Sequence, residues 1–394
     1  MRRLSGQREA VIDSASGQGV LHQMHPDNGA ESFAERLIRW QRQYGRKGLP
    51  WQHTRDPYRV WISEIMLQQT QVATVVAYYN RFLQAFPSVL DLANAPEDAV
   101  LAQWSGLGYY SRARNLHRCA QIVRDRYAGV FSGSKTALEQ LPGIGPSTAA
   151  AIAAFCFGER TLIFDANVQR VMSRMFAYGQ DMSRSANRRE LWLSAERTLP
   201  AAEPASTLAV RMSAYTQGLM DLGATVCLSR KPECGQCPVA ALCLAREQGQ
   251  AQAYPVKIGK MKRTAESWWL LVLIRAPETG IAMRVFLHKR PRNGIWGGLH
   301  CLPVFSDETA LQTVVEQLPE RGEYQVHPPV MHVLTHKDLM LHPVSVVVPD
   351  QAAVPQHLEG AWYGQWEALG LPAPVRKWLD AAFGALPSGR SDSN

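Results

Sequence analysis

The sequence predicts two structured regions of different class: an all-α region first, then a smaller α+β domain. Three observations predict it. From residue 31 to about Cys243, apolar residues recur at helical spacing between Pro and Gly punctuation, with no alternating strands. Beyond about Arg246, short runs rich in Val, Leu and aromatic residues alternate with Gly and Pro turns. Near the junction, Cys227, Cys234, Cys237 and Cys243 fall within 17 residues, out of seven cysteines in all.

The 394 residues are enough for two or three domains, and 46% hydrophobic residues can bury a real core. No run of 18 apolar residues occurs, so no membrane partner is expected. The first residues lack the apolar stretch of a secretory signal. With an odd number of cysteines, that argues against a disulfide framework. The net charge of +8 is unevenly placed: residues 31–250 hold 25 Lys and Arg against 18 Asp and Glu. A basic, Arg-rich region suits a polyanion.

In chain order, residues 1–30 read as a flexible polar tail and 31–246 as the helical domain. Ser32 with Glu35 makes a capping-box pattern, followed by Phe33, Leu37, Trp40 and Tyr44 at helical spacing. Trp61, Ile65, Val72 and Val75 would form the apolar stripe of one helix, with Glu64, Gln68 and Gln71 on its polar stripe. Lys135–Gln140 and Thr148–Phe157 read as helices joined by Leu141-Pro142-Gly143-Ile144-Gly145-Pro146-Ser147, a helix–hairpin–helix in form spanning about 134–158. Residues 247–264 look like a linker. The second domain, 265–382, has strands at Trp268–Arg275, Val285–Lys289 and Val344–Val348 and a helix at Glu308–Leu318; residues 383–394 read as a second tail.

Four motifs carry chemistry. C-x6-C-x2-C-x5-C at 227–243 places four thiolates in one loop; the spacing favours a [4Fe–4S] cluster, with a structural zinc as the alternative. The hairpin glycines allow a close backbone approach, Pro146 suits a first helical position, and a helix start receives phosphate. Glu64, bordered by Ile, Met and Leu, is either an exposed side chain or a carboxyl with a raised pKa fit to act as an acid. Asp165, after four mainly apolar residues, is either a helix cap or a catalytic group. In Gly106–Asn115, Tyr109 and Tyr110 beside Arg112 and Arg114 suit base stacking and phosphate contact, or a helix start with buried aromatics.

These motifs, in this order from Pro50-Trp51 to the four cysteines, resemble the helix–hairpin–helix DNA glycosylases. The Met66-Leu67-Gln68-Gln69-Thr70-Gln71 run and the two-domain layout are similar to adenine DNA glycosylases of the MutY type, over about residues 32–375. The resemblance implies an all-α helix–hairpin–helix glycosylase domain with a [4Fe–4S] lobe and a Nudix-like recognition domain. It implies removal of adenine paired with 8-oxoguanine or guanine in duplex DNA, by hydrolysis of the N-glycosidic bond, with the adenine flipped out of the stack. Glu64 would protonate the base, Asp165 would stabilise the cationic sugar, and Asn167 would lie beside it. Trp51 and Gln217 would line the adenine pocket. Gln69, Thr70 and Tyr109 would contact the duplex around the 8-oxoguanine, Thr335 and His336 would inspect it from the second domain, and Gly143 and Gly145 would hold a phosphate. Where bifunctional relatives carry a lysine this chain has Ser147, which cannot form a Schiff base; that implies base removal without strand cleavage. A monomer in the cytoplasm, at the chromosome, is the expectation.

The chain departs from the family at Leu334-Thr335-His336, where Phe-Ser-His is usual, and at Ala166, where glycine usually follows the aspartate. Gly294–Leu299 matches the Gly/Trp-rich Nudix segment, without a Glu-rich magnesium helix. Two alternatives remain from the residues alone: a bifunctional endonuclease III-like glycosylase/lyase, or a non-catalytic iron–sulfur DNA-binding module.

Overall fold

A computed structural model of the chain describes residues 31–259, 263–275, 283–318, 322 and 324–384. The expected tail 1–30, and all of the expected tail 383–394 beyond Gly384, lie outside the described residues. Up to residue 259 the helices are α1 (Phe33–Tyr44), α2 (Pro57–Leu67), α3 (Val72–Ala85), α4 (Val89–Asn94), α5 (Glu97–Trp104), α6 (Ser111–Tyr127), α7 (Lys135–Leu138), α8 (Pro146–Ile152), α9 (Ala166–Met175), α10 (Ser185–Glu196), α11 (Ala205–Asp221) and α12 (Leu244–Glu247). After residue 263, α13 (Glu308–Glu316) and α14 (Ala373–Phe383) accompany strands β1 (Thr264–Arg275), β2 (Arg284–Lys289), β3 (His300–Cys301), β4 (Val304–Phe305), β5 (Tyr324–Val326), β6 (Val330–Val333), β7 (Lys337–Val348) and β8 (Ala361–Tyr363).

The described chain divides into two compact units, each built from two stretches: 31–65 with 131–259, and 66–130 with 263–384. In the first, the apolar face of α1 (Phe33, Ala34, Leu37, Ile38) packs with Val168, Val171 and Met172 of α9 and Met212, Tyr215 and Leu219 of α11, all buried. Each fully buried side chain of this size contributes about 1.5–3 kcal/mol. Tyr44, expected on that stripe, is 67% exposed, and Ala34 and Ile38 take the inward positions instead. The hairpin is present: α7 ends at Leu138, Gly143 turns the chain at φ +80°, and Pro146 opens α8. α8 then runs on as a π-helical turn over Ala153–Phe157. The start of the expected linker is fastened to this unit: Tyr254 O accepts from Arg174 Nε at 3.2 Å and Val256 O from Met182 N at 2.9 Å.

In the second unit, β1 and β7 form a twelve-pair parallel centre from Thr264↔Lys337 to Arg275↔Val348. Antiparallel neighbours flank them, in the order β3-β2-β1-β7-β5, with β4 on β1, β6 on β7 and β8 on β2. Leu271, Leu273, Val344 and Val346 pack against Leu311, Val314 and Val315 of α13. Both central strands start earlier than expected, because the parallel ladder extends over 264–267 and 337–343, ahead of each expected run. Helices of 66–130 join this unit through specific ties: Tyr110 Oη and Ser105 Oγ both donate to Leu371 O, at 2.9 and 3.0 Å.

The single helix expected through Trp61–Val75 is corrected. α2 stops at Leu67, Gln69 is left-handed (φ +57°), and Gln71 precedes α3 in extended conformation, so Gln68 and Gln71 do not share a helical stripe with Glu64. Carbonyls at a helix end need outside donors. Here Arg112 Nη1 donates to Met66 O at 2.9 Å and to Gln68 O at 2.5 Å, which satisfies the end of α2 with a side chain.

Candidate active site and cysteine-lined cavity

Glu64 lies near the end of α2, after Ile62 and Ser63 and before Ile65 and Met66, all four buried. Water touches its edge, but protein surrounds the carboxyl. Burial, reinforced by the negative charge of Asp165, raises its pKa to about 8. Its proton is therefore largely retained at neutral pH.

Asp165 is the helix cap that the sequence allowed. It caps α9, its Oδ1 accepting from Val168 N at 2.8 Å, and it is the carboxylate whose field reaches Glu64. The residue as a whole is exposed. Loss of hydration pushes its pKa upward, while the amides of Val168 and Asn167 and the Arg170 guanidinium pull the other way. Two carboxyls thus sit in one field with different tasks: Glu64 holds a proton, and Asp165 has a helix start to support its anion.

The other expected site residues of this unit lie on four segments: the hairpin with the start of α8, the first turn of α9, α11, and the chain between α1 and α2. Ser147 Oγ, at the start of α8, accepts from Phe164 N at 3.2 Å and so ties down the residue before Asp165. Asn167 lies in the first turn of α9, where a Cβ added to Gly223 would come 2.9 Å from its Cβ. Gln217, half-buried on α11, donates from Nε2 to Asp221 Oδ1 at 2.9 Å. Trp51 is half-buried in the segment between α1 and α2, and Gly143 and Gly145 are exposed in the hairpin turn.

A second constellation belongs to the other unit. Gln69 is exposed and left-handed; Tyr109 is also left-handed (φ +50°) and 43% exposed. Tyr109 Oη and Thr335 Oγ1 share a hydrogen bond of 2.6 Å. Thr335 and His336 are exposed in the turn between β6 and β7, where Leu334 N bonds Lys337 O at 2.8 Å. Arg112 holds both left-handed segments. Besides the end of α2, it donates from Nη2 to Thr70 Oγ1, Leu107 O and Gly108 O at 3.2, 3.3 and 3.1 Å, and it lies over the Trp104 and Tyr109 rings. Arg112 is buried on these carbonyls and is not offered to a phosphate, whereas Arg114 is half-buried and donates to Gly297 O. Tyr110 is buried, as the helix-start reading has it, while Tyr109 is not.

The four clustered cysteines line one hollow of about 390 Å³, open mouth included, together with Val171, Met175, Leu222 and Val239. Among the described residues no three His, Cys, Asp or Glu side chains converge as a single ion requires. Thiols spread around a space, rather than drawn to a point, fit a multi-atom cluster better than a lone zinc. Arg174 fits it too: only 2% exposed, it donates to Cys227 Sγ at 3.2 Å and to the carbonyls of Leu228 and Ser229 at 2.7 and 2.9 Å, bringing a positive charge to an anionic group.

Sequence reasoning missed Arg112, Arg174 and Asp221 as organisers. Each is a charged residue inside a helix that reads as solvated until its acceptors are known.

Three family models match the chain: "HhH-GPD superfamily base excision DNA repair protein" over residues 62–197, "NUDIX domain" over 273–381, and "Iron-sulfur binding domain of endonuclease III" over 227–243. The chain is 32% identical over 351 residues to the adenine DNA glycosylase of Buchnera aphidicola subsp. Baizongia pistaciae, covering 88% of this chain and 95% of that protein. It is 39% identical over 254 residues to the adenine DNA glycosylase of Homo sapiens, covering 62% of this chain and 45% of that one. Among solved structures, that of a thermostable thymine-DNA glycosylase aligns with TM-score 0.48 and 29% identity, over 55% of this chain and 95% of that one.

Proposed function

Because the chain belongs to the adenine DNA glycosylase family, we propose that it excises adenine lying opposite 8-oxoguanine or guanine in duplex DNA, with Glu64 as proton donor and Asp165 as the carboxylate facing the sugar. It is a DNA glycosylase of base-excision repair, with an all-α helix–hairpin–helix region and a Nudix-like C-terminal domain. It carries a [4Fe–4S] cluster. Cys227, Cys234, Cys237 and Cys243 would hold that cluster, which would supply a cross-link for the loop.

The observation that carries the reading is the protonated Glu64 beside an Asp165 supported by a helix start. Glu64 gives its proton to ring nitrogen 7 of the flipped adenine. The bond from the sugar's anomeric carbon to the base then breaks, and its electron pair leaves with the adenine. Asp165 faces the resulting oxocarbenium ion. Glu64, now a carboxylate, takes a proton from water as its oxygen adds to the sugar. The products are free adenine and an abasic site, with Glu64 again protonated. Ser147 occupies the position of the lyase lysine and is engaged in a backbone tie beside Asp165, which supports base removal without strand cleavage.

Gln69, Thr70, Tyr109, Thr335 and His336 form the face for 8-oxoguanine, and Gly143 and Gly145 take a phosphate. No described helix is long and apolar enough to cross a membrane. The protein acts as a monomer in the cytoplasm, at the chromosome, with the helical domain at 31–246 and the recognition domain at 265–382.

Single-turnover excision on an adenine:8-oxoguanine duplex tests the reading. The abasic product should stay uncut until alkali is added. Rapid cleavage without alkali would favour the bifunctional alternative, and no excision would favour the non-catalytic one. Wild-type rate in Glu64→Gln would overturn the mechanism.

A further inference from the structure

We infer that Gln169 positions the Asp165 carboxylate against the sugar, by fixing both peptide planes that meet at the Asp165 Cα. The inference rests on the excision reading above, in which Asp165 faces the cationic sugar. Gln169 is in the first turns of α9 and is half-buried. Its backbone N donates to Asp165 O at 2.8 Å, and its side-chain Nε2 donates to Phe164 O at 3.1 Å.

Those two carbonyls belong to different peptide groups. Phe164 O lies in the plane that enters the Asp165 Cα, and Asp165 O lies in the plane that leaves it. Each peptide group is rigid, so only the two torsions at that Cα set where its side chain is aimed. One residue thus holds both planes.

The backbone bond is the ordinary first bond of a helix. The side-chain bond is not. The helical ladder would give Val168 N to Phe164 O, but that amide is taken by the Asp165 cap, whose Oδ1 accepts from it at 2.8 Å. The Gln169 side chain makes good the carbonyl that capping leaves without its helical partner. Methionine or leucine would propagate the helix as well as glutamine does, so helix formation does not by itself ask for an amide here. Ser147 holds the same residue from α8, its Oγ accepting from Phe164 N at 3.2 Å. The segment that delivers Asp165 is therefore tied on both edges by side chains. At a reacting centre, a displacement of about 1 Å costs on the order of a hundredfold in rate. Gln169 touches neither base nor sugar in this scheme; it is a positioning residue.

Gln169→Met tests it in the full-length, cluster-loaded protein, because methionine keeps the length of the side chain and removes the donor. The probes are two duplexes that differ at one position opposite 8-oxoguanine. One carries a pyrrolidine analogue whose protonated ring nitrogen imitates the cationic sugar, and the other a neutral tetrahydrofuran analogue. The measurement is the ratio of their dissociation constants. Wild type should bind the cationic duplex more tightly, and Gln169→Met should reduce that preference about tenfold, with single-turnover excision falling alongside. A Gln169 that only supports the fold would weaken both duplexes by one factor and leave the ratio alone, a result that overturns the inference. If Gln169→Met does not fold, Gln169→Asn takes its place, its amide stopping one methylene short of Phe164 O: a wild-type ratio overturns the inference and a reduced one supports it. Wild-type protein that excises adenine without preferring the cationic duplex also overturns it, because no anion is then aimed at the sugar. Wild-type protein that excises no adenine refutes the functional reading instead.

Discussion

Arg112→Lys changes one buried cation into another, and the difference can be worked from its contacts. The guanidinium reaches five acceptors: the carbonyls of Met66, Gln68, Leu107 and Gly108, and the Thr70 hydroxyl. Burial lowers its pKa to about 10, so it remains charged at neutral pH. A lysine brings three donors on a single nitrogen. At least two of the five acceptors then lose their donor. At about 1–3 kcal/mol for each buried acceptor left bare, the loss is roughly 2–6 kcal/mol. For a unit of this size, that lowers the melting temperature by on the order of 5–20 °C. The left-handed segments at Gln69 and Tyr109 should also loosen, so single-turnover excision opposite 8-oxoguanine should fall by more than about tenfold. Circular dichroism melting and quenched-flow excision read the two effects. A variant that melts within about 1 °C of wild type and excises at full rate would show that Arg112 does not hold these segments.

Other expectations follow from the same geometry. Glu64 keeps its proton up to about pH 8, so excision should decline as pH rises through that value, while a lower limb reflects ionisation of Asp165; a flat profile from pH 6 to 9 would contradict this. The same raised pKa means Glu64 is a stabilising neutral acid below its unfolded value of about 4.5, and that contribution is lost as pH rises through about 8. Glu64→Gln should therefore lose less melting temperature than wild type between pH 5 and 9. Asp165→Asn keeps a helix cap but removes the anion, so stability should change by less than about 1 kcal/mol while the chemical step slows by at least about a hundredfold. Cys234→Ser should lower iron well below four per chain and reduce the melting temperature, read by metal analysis and calorimetry.

Much of this was legible in the sequence because the signals were local. Proline and glycine marked the hairpin, the four cysteines stood within one loop, and Asp165 followed an apolar run at a helix start. The β-rich half was legible from Val and Leu runs, but its short strands β3, β4, β5, β6 and β8 were not, since two to four residues carry too little periodicity. Nor was the break at Gln68–Gln71, because the hydrophobic spacing continues across it and the cause, Arg112, lies more than forty residues away. The same holds for Asp221, whose partner Arg46 is 175 residues distant. Charged residues whose roles depend on distant carbonyls and guanidiniums look like surface until the fold closes.

Arg174 has a bearing on how long the protein survives. Among the described residues no Asp or Glu pairs with its buried guanidinium, so its counter-charge comes from the thiolate side of the cysteine-lined cavity. A chain that never receives iron, or loses it, keeps a buried cation without an anion, a state that costs several kcal/mol. The segment 227–243 then has reason to open, exposing backbone that proteases cut. Cofactor delivery thus becomes a checkpoint on lifetime: limited proteolysis should nick the iron-free protein within this loop and spare the loaded one.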